Sequence, residues 1–117
     1  MELTEITYAD QPPVDAYGPG FFRVNEAVQE GPLAIFPSGV VSWKGLFDLA
    51  GVIAAAADYD VIFIGTGAKI APLPEAIRAK LEKTDVPYEL MATPAACRTY
   101  NVLLSEGRRV AIAALPI

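Results

Sequence analysis

The hydrophobic pattern changes character along the chain, and the change divides it into two halves. In the first half apolar positions come in short bursts. Ile6 and Tyr8 alternate with threonine inside Leu3-Thr-Glu-Ile-Thr-Tyr8, which predicts a short strand. Gln11-Pro-Pro13 and Gly18-Pro-Gly20 then interrupt regular structure, so residues 11–20 read as a surface loop or arm. Phe22-Arg-Val24 alternates apolar with charged and predicts a half-buried strand. Asn25-Glu26 reads as a tight turn into a short returning strand at Ala27-Val28. Leu33-Ala-Ile-Phe36 and Val40-Val-Ser-Trp43 flank Pro37-Ser-Gly39, with proline and glycine where a hairpin turn uses them. Trp43 is expected as a packed anchor, because large aromatics dominate core burial.

From residue 46 the period lengthens to that of helices alternating with strands. Asp48 is the expected N-cap of a helix running to about Ala57, with Phe47 and Val52 forming a hydrophobic staple. Leu49, Val52, Ile53 and Ala56 fall on one face of it. Val61-Ile-Phe-Ile64 is continuously apolar, as a strand buried between helical layers must be. After Gly65-Thr66-Gly67 and a loop through Pro72, Pro74 opens a helix with Ile77 and Leu81 facing inward. Arg78 can pair with Glu75 and Glu82 on its outer face. Asp85-Val-Pro87 turns the chain into the strand Tyr88-Glu-Leu-Met91.

The last segment has almost no spare residue. Thr93 suits an N-cap and Pro94 the first helical position, where no N–H is needed. Gly107 suits the left-handed residue that ends a helix. Val110-Ala-Ile-Ala-Ala-Leu115 is apolar enough to be buried on both faces, and an antiparallel setting against its neighbours is expected. The pattern thus predicts a single α/β domain over residues 1–117: a layered fold with a central mixed, mostly parallel sheet, helices on it, and an N-terminal antiparallel β section.

Composition narrows the chemistry. The chain has 117 residues, 53% of them hydrophobic, which fits one folded core. No apolar run approaches the roughly 20 residues of a membrane helix, and Met1-Glu-Leu-Thr-Glu is acidic where a signal peptide is basic. A cytoplasmic location is therefore expected. Histidine is absent, which removes Ser-His-Asp and Cys-His catalysis and His-ligated metal. Cys97 is the single cysteine, so no intrachain disulfide and no multi-cysteine metal site can form. A net charge of −5 argues against nucleic acid as a partner. No cofactor and no catalytic residue are expected.

If the strands at 61–64 and 88–91 are parallel, their C-terminal ends meet at one edge of the sheet, where open α/β sheets commonly bind ligands. That edge collects Gly65, Thr66, Gly67, Thr93, Cys97, Arg98 and Asn101 as the candidate cleft for a ligand or partner. Free amides at the helix start and the Arg98 guanidinium favour an anion. The same glycines equally serve a tight turn, and they lack the third glycine of a dinucleotide fingerprint. The helix dipole and Arg98 could lower the Cys97 thiol pKa, but a lone cysteine among alanines is more often an inert buried residue. Asn101 sits mid-helix, where asparagine is disfavoured, so its amide is expected to bond neighbouring backbone.

Ala92-Thr-Pro-Ala-Ala-Cys-Arg-Thr-Tyr-Asn-Val-Leu-Leu-Ser-Glu-Gly-Arg-Arg-Val-Ala111 resembles the signature of the Mth-domain family. Phe22-Arg-Val24, the hairpin from Pro37 to Trp43, and Phe63-Ile-Gly-Thr-Gly67 match its pattern in order, so the resemblance spans residues 3 to 116. The family's relatives include an adipogenesis-associated protein and a mitochondrial assembly factor for respiratory complex I. The resemblance implies an α/β fold with a central mixed sheet and no established enzymatic activity. It also implies a protein partner: a membrane-complex subunit or assembly machinery, respiratory or Sec-associated. On that reading a bacterial chain would sit in the cytoplasm, peripheral to the inner membrane through its partner. The alternative is a small anionic-ligand-binding protein or enzyme using the strand-end cleft.

Overall fold

The computed structural model describes residues 11–117, so the strand expected at Leu3 to Tyr8 lies outside the described residues. Three strands, β1 (Ala16–Gly18), β2 (Phe21–Val24) and β3 (Ala27–Glu30), form an antiparallel sheet in the order β1-β2-β3. Five more form a mixed sheet in the order β5-β4-β8-β6-β7. These are β4 (Leu33–Phe36), β5 (Gly39–Val41), β6 (Val61–Gly65), β7 (Tyr88–Met91) and β8 (Val110–Ala114). The helices are α1 (Ala50–Ala54), extended by a 3-10 turn at Ala56–Asp58, then α2 (Glu75–Lys83) and α3 (Thr93–Ser105).

The three innermost strands explain the unbroken apolar runs. Successive side chains of a strand point to opposite faces, so a strand covered on both sides needs no polar position. Ala34, Phe36, Ile62, Ile64, Ala111 and Ala113 enter one core with Val52 of α1 and Ile77 and Leu81 of α2. Leu33, Ile35, Phe63, Val110, Ile112 and Ala114 enter a second core with Phe22, Val24 and the α3 residues Ala96, Cys97 and Tyr100. The molecule is therefore layered: α1 and α2 on one face of the large sheet, α3 and the small sheet on the other.

The wiring follows from chirality. β6 and β7 are adjacent and parallel, joined through α2. The chain then reverses direction across the sheet, passing over β6 to place β8 on its far side, parallel to it. If both crossovers are right-handed, as such connections almost always are, reversing the direction of travel puts the second helix on the opposite face. The two cores place α2 and α3 on opposite faces in this way. β8 is thus parallel to β6 and antiparallel only to β4, which corrects the expectation of an antiparallel last strand. A helix crossover returns the chain to the end of the sheet where the parallel strands begin.

Two local expectations also change. Residues 11–20 are not a free loop, because β1 occupies Ala16–Gly18 and the stretch before it buries Pro12 and Val14. Pro19-Gly20 is the turn of a hairpin, with Gly18 paired to Phe21. Asp48 does not cap α1, whose N-cap is Leu49 with no side-chain hydrogen bond. The Asp48 Oδ2 instead accepts from the Lys44 N–H at 3.0 Å, and its carbonyl accepts from the Trp43 indole at 2.8 Å. Phe47 is 77% exposed, so no hydrophobic staple forms. The Asp48 carboxylate thus closes the turn from 43 to 48 instead of the helix start. Elsewhere the local chemistry is as the sequence implies. Asn25 and Glu26 hold positive φ (54° and 65°) in the β2–β3 turn, and Arg78 bonds both Glu75 and Glu82.

Candidate functional site

α3 carries four of the candidate residues, and its ends fix their positions. At its C-terminus Gly107 adopts φ 79°. The N–H groups of Gly107 and Arg108 bond the carbonyls of Leu104 and Leu103, both at 3.0 Å. This double bond is the Schellman closure that a left-handed glycine allows. At its N-terminus the helix begins at Thr93 with Pro94 in the first turn, and Ala92 is the N-cap. Thr93 therefore does not cap α3, which corrects that expectation. Its buried face is Thr93, Ala96, Cys97 and Tyr100, at the spacing of one helical stripe.

The strand-end residues close on one another. The Thr93 Oγ1 accepts from the Gly67 N–H at 2.9 Å and donates to the Leu115 carbonyl at 2.6 Å. The Thr93 N–H donates to the Gly67 carbonyl at 2.8 Å, and the Leu115 N–H donates to the Gly65 carbonyl at 2.9 Å. Thr66 donates its N–H to the Met91 carbonyl at 2.9 Å, while its hydroxyl accepts from Ala71 N–H at 3.0 Å and donates to Lys69 O at 2.9 Å. One threonine hydroxyl thus joins the ends of β6 and β8 to the start of α3, and Thr93 is 0% exposed. Gly65 makes this possible: a Cβ there would lie 2.7 Å from the Thr93 Oγ1. An anion would need free amides at this helix start. The Thr93 N–H is already engaged, and Pro94 has none.

One turn further along α3, Cys97, Arg98 and Asn101 face a different neighbour, the segment leading into β1. The Asn101 side chain accepts from the Val14 N–H and donates to the Val14 carbonyl, both at 2.8 Å, as a neighbouring strand would. The Tyr100 hydroxyl donates to the Pro12 carbonyl at 2.7 Å. A groove of about 300 Å³ lies between the two elements, lined by Val14, Asp15, Tyr17, Cys97, Arg98 and Val102 among others. A second stretch of about 460 Å³ shares Asp15 and Asn101 and extends to Asn25, Glu26, Leu104 and Ser105. The candidate residues therefore divide: Gly65, Thr66, Gly67 and Thr93 in the closed knot, and Cys97, Arg98 and Asn101 along the groove.

Burial pushes the Cys97 thiol up to about 12, so it stays protonated and poorly nucleophilic despite Arg98. Tyr100 is likewise raised by burial. Among the described residues no group of Asp, Glu and Cys is gathered as metal ligands, and no helix is long and apolar enough to cross a membrane. Asp15, Tyr17, Glu26 and Val102 were not among the residues the sequence singled out. The alternation of Val14, Asp15, Ala16 and Tyr17 ahead of a Pro-Gly turn was the signal, masked by the flanking prolines and glycines.

Comparison with known proteins extends the picture. The family model described as a protein of unknown function (DUF498/DUF598) matches residues 14–115. An uncharacterised protein of Rhodobacter capsulatus is 47% identical over the whole chain and 94% of its own length. Assembly factor 3 of the NADH dehydrogenase [ubiquinone] 1 alpha subcomplex from Danio rerio is 32% identical over 86% of this chain. The chain spans 62% of that factor's length, so the remainder of it has no counterpart here. A Bartonella henselae structure described as an outer membrane protein superimposes with a TM-score of 0.82 at 34% identity, covering 92% of this chain and 97% of that one. A Bordetella pertussis protein described as a Mth938-like domain does so at 0.73 and 32%, covering 99% and 92%. A match across the signature helix, both cores and the knot makes this chain a member of the DUF498/DUF598 family, with the Mth938-like fold.

Proposed function

We propose that this protein is a non-enzymatic assembly factor that holds a component of a membrane-bound complex by protein contact. The similarity to the complex I assembly factors over 86% of the chain carries the reading. The lack of histidine and the protonated, buried Cys97 support it from the chemistry. The docking face is the groove between α3 and β1. There Tyr17 and Val102 are 39% and 49% exposed, side by side with Arg98, Asp15 and Asn101. Apolar side chains ringed by polar ones are the composition of a protein contact site. Respiratory complex I, or the translocation machinery, is the class of partner, and the protein works peripheral to the inner membrane. The Bartonella relative's description names the outer membrane, so fractionation of the native cell belongs with the test.

Quantitative affinity capture of the tagged full chain from gently crosslinked native cells tests this, comparing wild type with Arg98→Ala. Enrichment of a membrane-complex subunit by wild type supports the role, and its loss with folded Arg98→Ala assigns the contact to the groove. A capture indistinguishable from the untagged control sinks the proposal.

A further inference from the structure

We infer that the groove along α3 takes an extended peptide segment of the partner, with a carboxylate at its Arg98 end and a cationic side chain at its Asp15–Glu26 end. The inference rests on the docking role proposed above and gives that role a ligand chemistry. Pro94, Cys97 with Arg98, Asn101 with Val102, and Leu104 with Ser105 recur at helical spacing, so the two stretches of groove follow one side of α3. They join where Asp15 and Asn101 line both. The charges along this track are segregated. Among the described residues Arg98 is the one cationic lining residue, in the first stretch; Asp15 lines both stretches at their junction, and Glu26 lines the second. All three are exposed, and none carries an ion pair among the described residues.

Spacing sets the register of the occupant. From Arg98 to Ser105, which lines the second stretch together with Glu26, the helix advances about 10 Å, at roughly 1.5 Å per residue. An extended chain covers that distance in about three residues. The matched segment therefore carries an acidic residue followed or preceded, three positions on, by a basic one, with apolar residues between them to meet Tyr17 and Val102. Asn101 reaching across to Val14 pinches the track midway, which fits a single extended chain better than a helix roughly 10 Å across. The outward backbone groups of Val14 and the carbonyl of Pro12 are already bonded to Asn101 and Tyr100. Strand addition is closed at those positions, so selectivity falls to the side chains and above all to their charges.

The test is fluorescence anisotropy at low ionic strength with dye-labelled nonapeptides, the full chain being the receptor. Aspartate and lysine are fixed three apart in either order, or seven apart, in a background of alanine, leucine and tyrosine. Receptors are wild type, Arg98→Glu, Glu26→Lys and the double variant, each checked for an unchanged unfolding midpoint. Wild type is expected to prefer one order of the three-apart pair by about tenfold, each single variant to erase that preference, and the double variant to invert it. Equal binding of both orders overturns the inference, as does a preference that survives Arg98→Glu. Preference for the seven-apart pair overturns it in favour of a helical occupant. A concentration-dependent dimer of wild type in sedimentation, lost in Arg98→Glu, assigns the groove to a second copy of this chain and also overturns it. Capture of a membrane-complex subunit by a chain indifferent to every peptide leaves the assembly role standing without the groove; selective peptide binding with an empty capture does the reverse.

Discussion

The Oγ1 of Thr93 sits 2.7 Å from where a Cβ on Gly65 would be, so the hydroxyl that joins β6, α3 and β8 exists only because position 65 has no side chain. Gly65→Ala would push its methyl group against that hydroxyl, against the Thr93 Cα at 3.0 Å and against the Ala114 Cβ at 3.0 Å. Overpacking of this kind costs about 1–3 kcal/mol. Thr93→Val keeps the shape but leaves the Gly67 N–H and the Leu115 carbonyl unpaired, for roughly 2–4 kcal/mol in total. Urea midpoints of Gly65→Ala, Thr93→Val, Thr93→Ala and the double variant Gly65→Ala with Thr93→Ala check the relationship, the last being compared with the sum of Gly65→Ala and Thr93→Ala. The double variant is expected to lose about 1 kcal/mol less than the sum, because removing the hydroxyl relieves the clash.

Asn101→Ala removes both bonds to the Val14 backbone. A loss of about 1–2 kcal/mol is expected. Amide hydrogen exchange should speed up most at Val14, with little change in β6 and β8. Uniform acceleration across all strands would show that the amide supports the whole fold rather than this one segment.

Alkaline pH should be destabilising through buried acids, Cys97 and Tyr59 first and Tyr100, also raised by burial, beyond them. Burial raises Cys97 from 9.0 to about 12 and Tyr59 from 10.0 to about 12. Both groups are neutral in either state below pH 9, so their contribution is fully present there. Above it the unfolded chain releases its protons while the folded chain keeps them. Stability should therefore fall steadily as pH rises from about 9 to 12. Equilibrium unfolding between pH 7 and 11 checks this, and Cys97→Ala should flatten the earliest part of the decline. Alkylation of Cys97 at pH 8 should likewise proceed at the rate of unfolding rather than that of a free thiol.

Gly107→Ala meets no atom within 4 Å, yet Gly107 holds φ 79°. The substitution isolates the backbone cost of a left-handed alanine, about 1 kcal/mol. A midpoint shift of that size, with groove binding unaltered, is the expected result.

Much of this architecture was legible because its signals are local. The continuous run at Val61 to Ile64, the Pro37-Ser38 turn, the inward pair Ile77 and Leu81, and the Gly107 stop each fix their element within a few residues. The direction of β8 was not legible. A strand buried on both faces has no alternation to orient it, and its partners lie far away in sequence. Thr93 and Asp48 misled in the same way. Each can serve a helix N-terminus, but Thr93 found tertiary partners in Gly67 and Leu115, and Asp48 a donor four residues back in its own turn. In the candidate site, Asn101 announced itself by being out of place in a helix. Arg98 and Cys97 were gathered correctly to the first turns of α3, but their true neighbours, Asp15 and Tyr17, sat in a stretch whose prolines and glycines concealed a strand.

The position of β8 has a bearing on how the protein is made. It is the last in chain order of the eight strands among the described residues and the middle strand of the five-stranded sheet, joining the β4–β5 hairpin to the β6–β7 pair. Until it leaves the ribosome, those two halves have no strand through which to bond, and each displays an open edge. Synthesis proceeds from the N-terminus, so the nascent chain carries these exposed edges until Val110–Ala114 has emerged. Folding is then a single late closure, and premature termination before Val110 should yield insoluble fragments rather than a smaller stable domain.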